Sequence, residues 1–194
     1  MKKIIAFSLI FACLGLLIFG STVSFCLTSL NKNAIMIDTP DAAQACSENL
    51  MTAIQHGNYD AAPSYLYGQV DLGLNREPAN DLGKLVWEAF ADSFHFEFTG
   101  NCYATTTGIA RDVWITTLNP ASVNQNLAQR VEELAKTAEG DAEDLLLKAL
   151  ADALEEDALS ITQKVQLNLI YQNGQWWVVP DAPLLQAISG GVAG

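Results

Sequence analysis

Histidine, basic residues and familiar catalytic motifs are scarce in this chain of 194 residues. It has only two histidines, and it contains no Cys-x-x-Cys pair, no phosphate-binding glycine loop and no Ser-His-Asp order. The 10 basic residues face 22 acidic ones, so the formal net charge is −12. These features argue against structural zinc, and so acidic a domain would repel the phosphate backbone of nucleic acids. We therefore predict no metal, no cofactor and no nucleic-acid partner.

Charged residues are also missing from Ile4 to Leu30, where most residues are apolar. A helix over this segment, rising ~1.5 Å per residue, would be long enough to cross a hydrocarbon core of ~30 Å. Lys2 and Lys3 precede it, and because positive charge stays on the cytoplasmic side, the residues that follow are expected outside the cell membrane. We predict a single-pass anchor over residues 1–30 and a tether over residues 31–38.

The leading segment has two alternative interpretations. A charged start and an apolar stretch also occur in cleaved signal peptides, so secretion is the alternative to anchoring. Lipidation of Cys13 or Cys26 is a third interpretation, but Phe11 and Phe25 are poor substitutes for the small residues that this modification requires. The anchor is preferred because the apolar run is long for a signal peptide and its cleavage pattern is indistinct.

Apolar periodicity predicts an α+β domain over residues 39–191. In several segments apolar residues recur at intervals of three and four, which is typical of helices with one buried face. In others they alternate with polar residues or are rich in β-branched side chains, which is typical of strands. The predicted helices lie at 39–57, 58–68, 81–94 and, as an inserted helical hairpin, 121–157. The predicted strands lie at 94–98, 101–107, 109–118, 161–171 and 176–179.

The stretch YQNGQWWVVPD predicts a β-hairpin with Asn-Gly in its two-residue turn. The short turn sets the register of the two strands and places Trp177 opposite Ile170. Because neighbouring strand residues point to opposite faces, Trp176 belongs with the apolar row, and Trp177 belongs with Ile170 and Val179 on the reverse side. This candidate contact surface would be covered by the inserted helical hairpin, which we prefer, or by a second protein molecule.

Three titratable residues are the candidates for a catalytic pocket. His95 and Glu97 share one face of a predicted strand, and Asp112 lies in the next strand. An enzyme would need such a group buried, with its pKa raised, to move protons near neutrality. The strand pattern instead places His95 and Glu97 opposite a row of phenylalanines, and the same interpretation applies to Asp112. We expect all three on a solvated outer face.

Cys46 and Cys102 are the cysteines outside the leading segment. In an exported domain they can oxidise, and a disulfide closing a loop of this size would contribute ~4 kcal/mol in the chain-entropy model. The alternative is a pair of buried free thiols, which is slightly favoured because the sequence supplies no distance between them.

Several strings resemble the NTF2-like superfamily, in particular its exported or membrane-anchored bacterial members of unassigned role. LMTAIQHGNYDAAPSYL is similar to that family's first helix, glycine-containing turn and short second helix. NGQWWVVPDAPLLQAISGG is similar to its closing hairpin and terminal leucine-rich segment with two glycines. The resemblance covers roughly residues 39–191, and the helical hairpin at about 121–157 departs from it. It implies a cone, in which helices pack into the concave side of a curved antiparallel sheet.

The family resemblance implies no single activity, because its members include enzymes, small-molecule binders and domains that only hold partners. Our first hypothesis is a membrane-anchored extracytoplasmic binding or protein-interaction module of the bacterial cell envelope. The alternatives are a lyase, isomerase or hydrolase with a buried carboxylate in the cone, and a structural protein that assembles through its sheet. The expected partners are the membrane, through Ile4 to Leu30, and an envelope protein or a second copy of the chain.

Overall fold

The computed structural model describes residues 35–74, 78–137, 141–155 and 159–191. The predicted anchor over residues 1–30, the first half of the tether (residues 31–34) and the end of the predicted insertion near Asp157 lie outside these residues. The described residues form five strands and five α-helices. The strands are β1 (Ile35–Met36), β2 (His95–Ala104), β3 (Gly108–Leu118), β4 (Ser160–Gln172) and β5 (Gln175–Val178); the helices are α1 (Asp41–Gln55), α2 (Asp81–Ser93), α3 (Pro120–Thr137), α4 (Ala142–Leu154) and α5 (Ala182–Ile188).

Capping side chains begin two of the helices. The Asn80 side chain accepts a hydrogen bond from the Gly83 N–H at 2.8 Å at the start of α2. The Asp181 side chain accepts one from the Leu184 N–H at 3.1 Å at the start of α5. Each satisfies a backbone donor that has no partner within the helix, and such a cap stabilises a helix by about 1 kcal/mol.

The predicted short second helix at 58–68 is found only in part. A single 3-10 turn, Ala62–Tyr65, occupies the segment, with the Leu66 N–H donating to the Pro63 carbonyl at 3.2 Å. The chain then leaves the turn because Leu66 forms a parallel bridge with Val178, and the Tyr67 N–H donates to the Val178 carbonyl at 2.8 Å. Pairing with the sheet therefore replaces the continuation of a helix.

The sheet is curved and antiparallel, with its strands in the order in which they occur along the chain. β1 contributes only two residues at one edge, and β5 forms the other. The register of β2 on β3 shifts between Phe98 and Cys102, beside Gly100 at φ +82°. Such a bulge bends a strand and increases its twist. The predicted α+β class, with an antiparallel sheet packed on helices, is confirmed.

One face of the sheet, the inner face, carries the main hydrophobic core. Val113, Val165 and Leu167 are buried there against Leu50 and Ile54 of α1. These residues alternate along their strands, so the residues between them point to the opposite face. We call that opposite face the outer face; it comprises Met36, His95, Glu97, Tyr103, Ala110, Asp112, Trp114, Thr116, Thr162, Lys164, Gln166, Asn168, Ile170 and Trp177.

The inserted helical hairpin, α3 and α4, packs on α2. Its Leu127 and Leu150 join a second hydrophobic cluster with Leu85 and Val86 of α2. Phe90 of α2 contacts both clusters, so α2 lies between the hairpin and the core of the inner face. The expectation that the hairpin covers Trp177 is therefore wrong, because the leucines of the hairpin are buried against another helix.

Candidate interaction surface

The outer face is the part of the sheet that has no hydrophobic layer on it among the described residues. None of the outer-face residues named above belongs to either hydrophobic cluster. Leu118, which follows the same alternation at the end of β3, is buried in the second cluster. Met36 is 65% exposed at the edge, and Trp114 is 41% exposed in the central strand. Large apolar side chains that remain open to solvent on one surface are typical of contact sites.

The two neighbouring tryptophans lie on opposite faces of the sheet, as the hairpin pattern in the sequence predicted. Trp176 pairs with Tyr171 and packs against the inner core, and their ring centroids are 5.4 Å apart. Trp177 pairs with Ile170 on the outer face, and its indole N–H donates to the Gln172 carbonyl at 3.3 Å. The Asn-Gly turn has φ +54° and +84°, the left-handed values that a two-residue turn requires.

The other two members of the predicted contact surface are placed beside Trp177. Ile170 is its cross-strand neighbour, and Val179 follows β5, where its N–H donates to the Asn168 carbonyl at 2.8 Å. All three side chains are half-buried. They form one apolar end of the outer face, and Trp114 lies further along β3.

Asp112 lies at the centre of the outer face, where polar neighbours bury its side chain. Its carboxylate accepts hydrogen bonds from Lys164 Nζ at 2.9 Å, Gln166 Nε2 at 3.1 Å and the Tyr103 hydroxyl at 3.3 Å. Burial acts to raise the pKa of Asp112, but the hydrogen bonds from Lys164 and Gln166 and the charge of Lys164 outweigh burial and hold the pKa below its usual range. The carboxylate is therefore ionised at neutral pH and neutralised by Lys164.

We expect Asp112→Asn to destabilise the domain at pH 7 by about 1–3 kcal/mol, because a charged acceptor of several hydrogen bonds is lost. A lowered pKa in the folded state contributes stability above the unfolded pKa of about 4, and this contribution disappears as pH falls through the folded value. The difference in the free energy of unfolding between variant and parent, measured in urea, should therefore narrow as the pH is lowered below about 4. Asp92→Asn, at an exposed position of α2, is the matched control.

His95 and Glu97 lie at the open end of the outer face, and both are exposed. His95 Nδ1 is 3.2 Å from Gln55 Nε2 at the end of α1. Glu97 is the cross-strand neighbour of Trp114. The structure thus places both residues, with Asp112, on the outer face, as the strand pattern predicted. The expectation of a solvated Asp112 is wrong, because its polar neighbours leave this residue only 5% exposed.

Arg111 is the buried charged group that the sequence interpretation missed. It is 5% exposed on the inner face, where Nη1 donates to Ser47 Oγ and, at 3.4 Å, to the Gln44 carbonyl. Its guanidinium carbon lies 4.1 Å from the ring centroid of Phe98, and Nη2 is 3.7 Å from a Glu48 carboxylate oxygen. Alternation with Val113 would have placed Arg111 inward, but its partners on α1 are distant in the sequence.

The charge of Arg111 is enclosed by these contacts. Burial lowers the pKa of the guanidinium, and the nearby Glu48 carboxylate opposes that shift. An arginine retains its proton at neutral pH in spite of such a shift. Since the named contacts engage both terminal nitrogens and the flat side of the guanidinium, Arg111 links helix α1 to the sheet.

Cys46 and Cys102 are both buried free thiols, as slightly favoured above, and the possible disulfide is not formed. Cys46 lies on α1 and its Sγ donates to the Trp176 carbonyl at 3.2 Å, while Cys102 is the cross-strand neighbour of Arg111. Burial raises the pKa of the Cys46 thiol, which disfavours the reactive thiolate. The alternative of two separate buried thiols is the arrangement found.

The described residues contain neither a cluster of metal ligands nor a helix able to cross a membrane. Within the described ranges, no group of three or more His, Cys, Asp or Glu side chains is arranged to hold a metal ion. None of the helices described in the structure has the length and hydropathy needed to span a membrane, and the predicted anchor lies outside those residues. No family profile matches this chain, and no curated protein or solved structure is detectably similar to it.

Proposed function

We propose that this protein is an interaction module of the bacterial cell envelope, with an NTF2-like cone held outside the membrane by its leading apolar segment. Its binding surface is the outer face of the sheet. Residues 1–30 act as a single-pass anchor in this proposal, and the tether is short, so the domain works close to the membrane surface. The anchor rests on the uncharged run from Ile4 to Leu30 and the two lysines before it.

The observation that carries the proposal is the exposure of Trp114 in the middle of the outer face. A tryptophan buries a large apolar area when it enters an interface, and tryptophan is enriched among the residues that dominate binding energy. Trp114 lies on a central strand, and its neighbours on both sides are charged or polar. This arrangement, an aromatic anchor within a polar surround, is typical of protein-binding sites.

The distribution of polar groups supports an interaction module rather than a catalyst. The buried polar or charged residues of the described chain are Ser47, Arg111, Asp112, Thr117 and Ser189. Asp112 is the one carboxylate among them, it lies on the outer face, and its pKa is lowered. A general acid in a buried pocket would require a raised pKa, so the lyase, isomerase or hydrolase alternative has no supporting carboxylate in the described residues.

A photo-crosslinking residue in place of Trp114 tests the surface in cells that produce the full chain. We expect ultraviolet light to attach a protein to this position, because the partner contacts the exposed side chain. The same substitution at Glu132, an exposed position of α3, is the matched control and should remain unattached. Equal labelling at both positions, or no adduct at position 114, would contradict the proposed surface.

The anchor is tested separately by extraction of membranes with alkaline carbonate. The full chain should remain in the membrane pellet, and a chain without residues 4–30 should not be retained there. Release of the full chain into the supernatant would contradict the anchor and leave the crosslinking result unaffected.

A further inference from the structure

Two strand connections and the start of β1 lie at the same end of the sheet. β1 is antiparallel to β2 and its Ile35 lies opposite Ala104, so the chain enters the sheet beside the connection from β2 to β3. The Asn-Gly turn from β4 to β5 lies beside that connection, because β3 begins where β4 ends. We call this end, which comprises the connections at residues 105–107 and 173–174, the hairpin end.

The predicted anchor ends close to the hairpin end. Ile35 follows Leu30 by five residues, and because an extended chain covers at most ~3.6 Å per residue, the two lie within about 18 Å of each other. Leu169 of β4 lies in the same cross-strand row as Ile35. From Leu169 the hairpin continues for four more residues to Asn173, which is about 13 Å at ~3.3 Å per residue. In the anchored chain the hairpin therefore covers much of the distance to the membrane surface.

The hairpin end carries no charge, although the chain as a whole has a net charge of −12. No charged residue occurs in residues 98–110 or in residues 165–180, which supply the two connections and the strands beside them. Residues 130–157, by contrast, contain ten acidic residues and three basic ones. The inserted helical hairpin, to which that range belongs, joins the sheet at its other end, after Leu118 and before Ser160. The hairpin end is thus the part of the sheet that an anionic membrane repels least.

Aromatic side chains lie on both faces of the hairpin end. Tyr171 is 59% exposed, and its ring centroid lies 5.4 Å from that of the half-buried Trp176 on the inner face. Trp177 and Ile170 are half-buried on the outer face. Residues 172–175, which join the two strands, are exposed and uncharged. Tyrosine and tryptophan are enriched where a membrane meets water, because each has an apolar body and a polar tip, so this end suits the headgroup region of a bilayer.

We propose that the hairpin end docks on the lipid surface of the membrane that holds the anchor, with Tyr171, Trp176 and Trp177 among the headgroups; the inference rests on the proposed anchor. The strands then run away from the membrane, and the inserted helical hairpin lies far from it. The outer face stands sideways and stays open to an envelope partner. Because the anchor keeps the domain beside the lipid, a contact too weak to hold a separate chain is enough to orient the domain.

Nitroxide labels test the contact in the full chain, with one chain in each lipid nanodisc so that lipid is the only available partner. Cys13→Ser and Cys26→Ser remove the cysteines of the leading segment, and the two other cysteines are buried. The label is placed at Gln172→Cys or, as the matched control, at Thr162→Cys. Thr162 is exposed on the same strand, ten residues from Gln172, which is about 33 Å at ~3.3 Å per residue.

Relaxation of each label by a water-soluble nickel chelate measures its access to water. We expect the label at residue 172 to be roughly threefold less accessible to the chelate than the label at residue 162, because the headgroup region surrounds it. Equal accessibility would overturn the docking and leave the anchor standing, since carbonate extraction measures the anchor by itself. Release of the full chain by carbonate would overturn the anchor and this inference with it.

Tyr171→Gln, in the chain labelled at residue 172, tests the aromatic contribution. Tyr171 is exposed, so this change leaves the core in place. The accessibility of the label to the chelate should rise roughly twofold, because a large amphipathic ring is lost from the contact. Nanodiscs of phosphatidylcholine with and without phosphatidylglycerol should give the same accessibility, because the hairpin end has no charge that attracts anionic lipid. An unchanged label in Tyr171→Gln, or shielding only in the presence of phosphatidylglycerol, would overturn the proposal.

Discussion

Arg111→Ala is expected to destabilise the domain by about 3–5 kcal/mol, because it removes the buried partner of a polar network and leaves a cavity. Arg111 is 5% exposed and links the sheet to Ser47 and Glu48 of α1. Its removal deprives Phe98 of the guanidinium that lies 4.1 Å from its ring centroid. Unfolding of parent and variant in urea at pH 7 measures the difference in free energy.

Arg111→Met is the informative companion of this variant. Methionine keeps much of the side-chain volume and leaves no charge of its own in the core, whereas alanine also leaves a cavity. Glu48 is partly exposed, so water can solvate it when the arginine is gone. We expect Arg111→Met to lose clearly less stability than Arg111→Ala. If both variants lost the same free energy of unfolding, the charge of Arg111, and not its packed volume, would be what holds α1 on the sheet.

Gly190→Ala is expected to destabilise the domain by about 2–5 kcal/mol. Gly190 follows α5 with φ +74°, and a left-handed conformation costs other residues about 1–2 kcal/mol. A Cβ atom there would also overlap the Leu118 carbonyl and lie 2.6 Å from Pro120 Cδ, so the end of β3 or the start of α3 would have to move. Overpacking of this kind adds about 1–3 kcal/mol.

Gly191→Ala separates the two contributions. Gly191 has φ +84°, but a Cβ atom there would meet only Gln163 Nε2 at 3.4 Å. It should therefore show the conformational cost alone, about 1–2 kcal/mol. Thermal unfolding of both variants, with the parent, measures the difference. Similar losses for the two variants would show that the close approach of α5 to Leu118 is relieved at little cost.

The sequence predicted the parts of this protein that depend on local chemistry. The Asn-Gly turn determines the pairing of Ile170 with Trp177, and two-residue alternation then separates Trp176 from Trp177. The same alternation in IARDVWITTL puts Trp114 on the outer face and Arg111 on the inner face. The orientation of both side chains could therefore be predicted from the sequence. Strand alternation and turn type depend on residues that are close together in the sequence, so a short stretch of sequence is enough to predict them.

Tertiary structure decided which distant segments meet. The hairpin of α3 and α4 packs on α2 and leaves Trp177 on the outer face uncovered by it, because its leucines find an equivalent apolar surface on another helix. Cys46 hydrogen-bonds to the backbone of Trp176 instead of bonding to Cys102. Arg111 finds Ser47 on a helix far away in the sequence. Apolar periodicity states that a face will be buried, but the three-dimensional arrangement alone selects the surface that buries it.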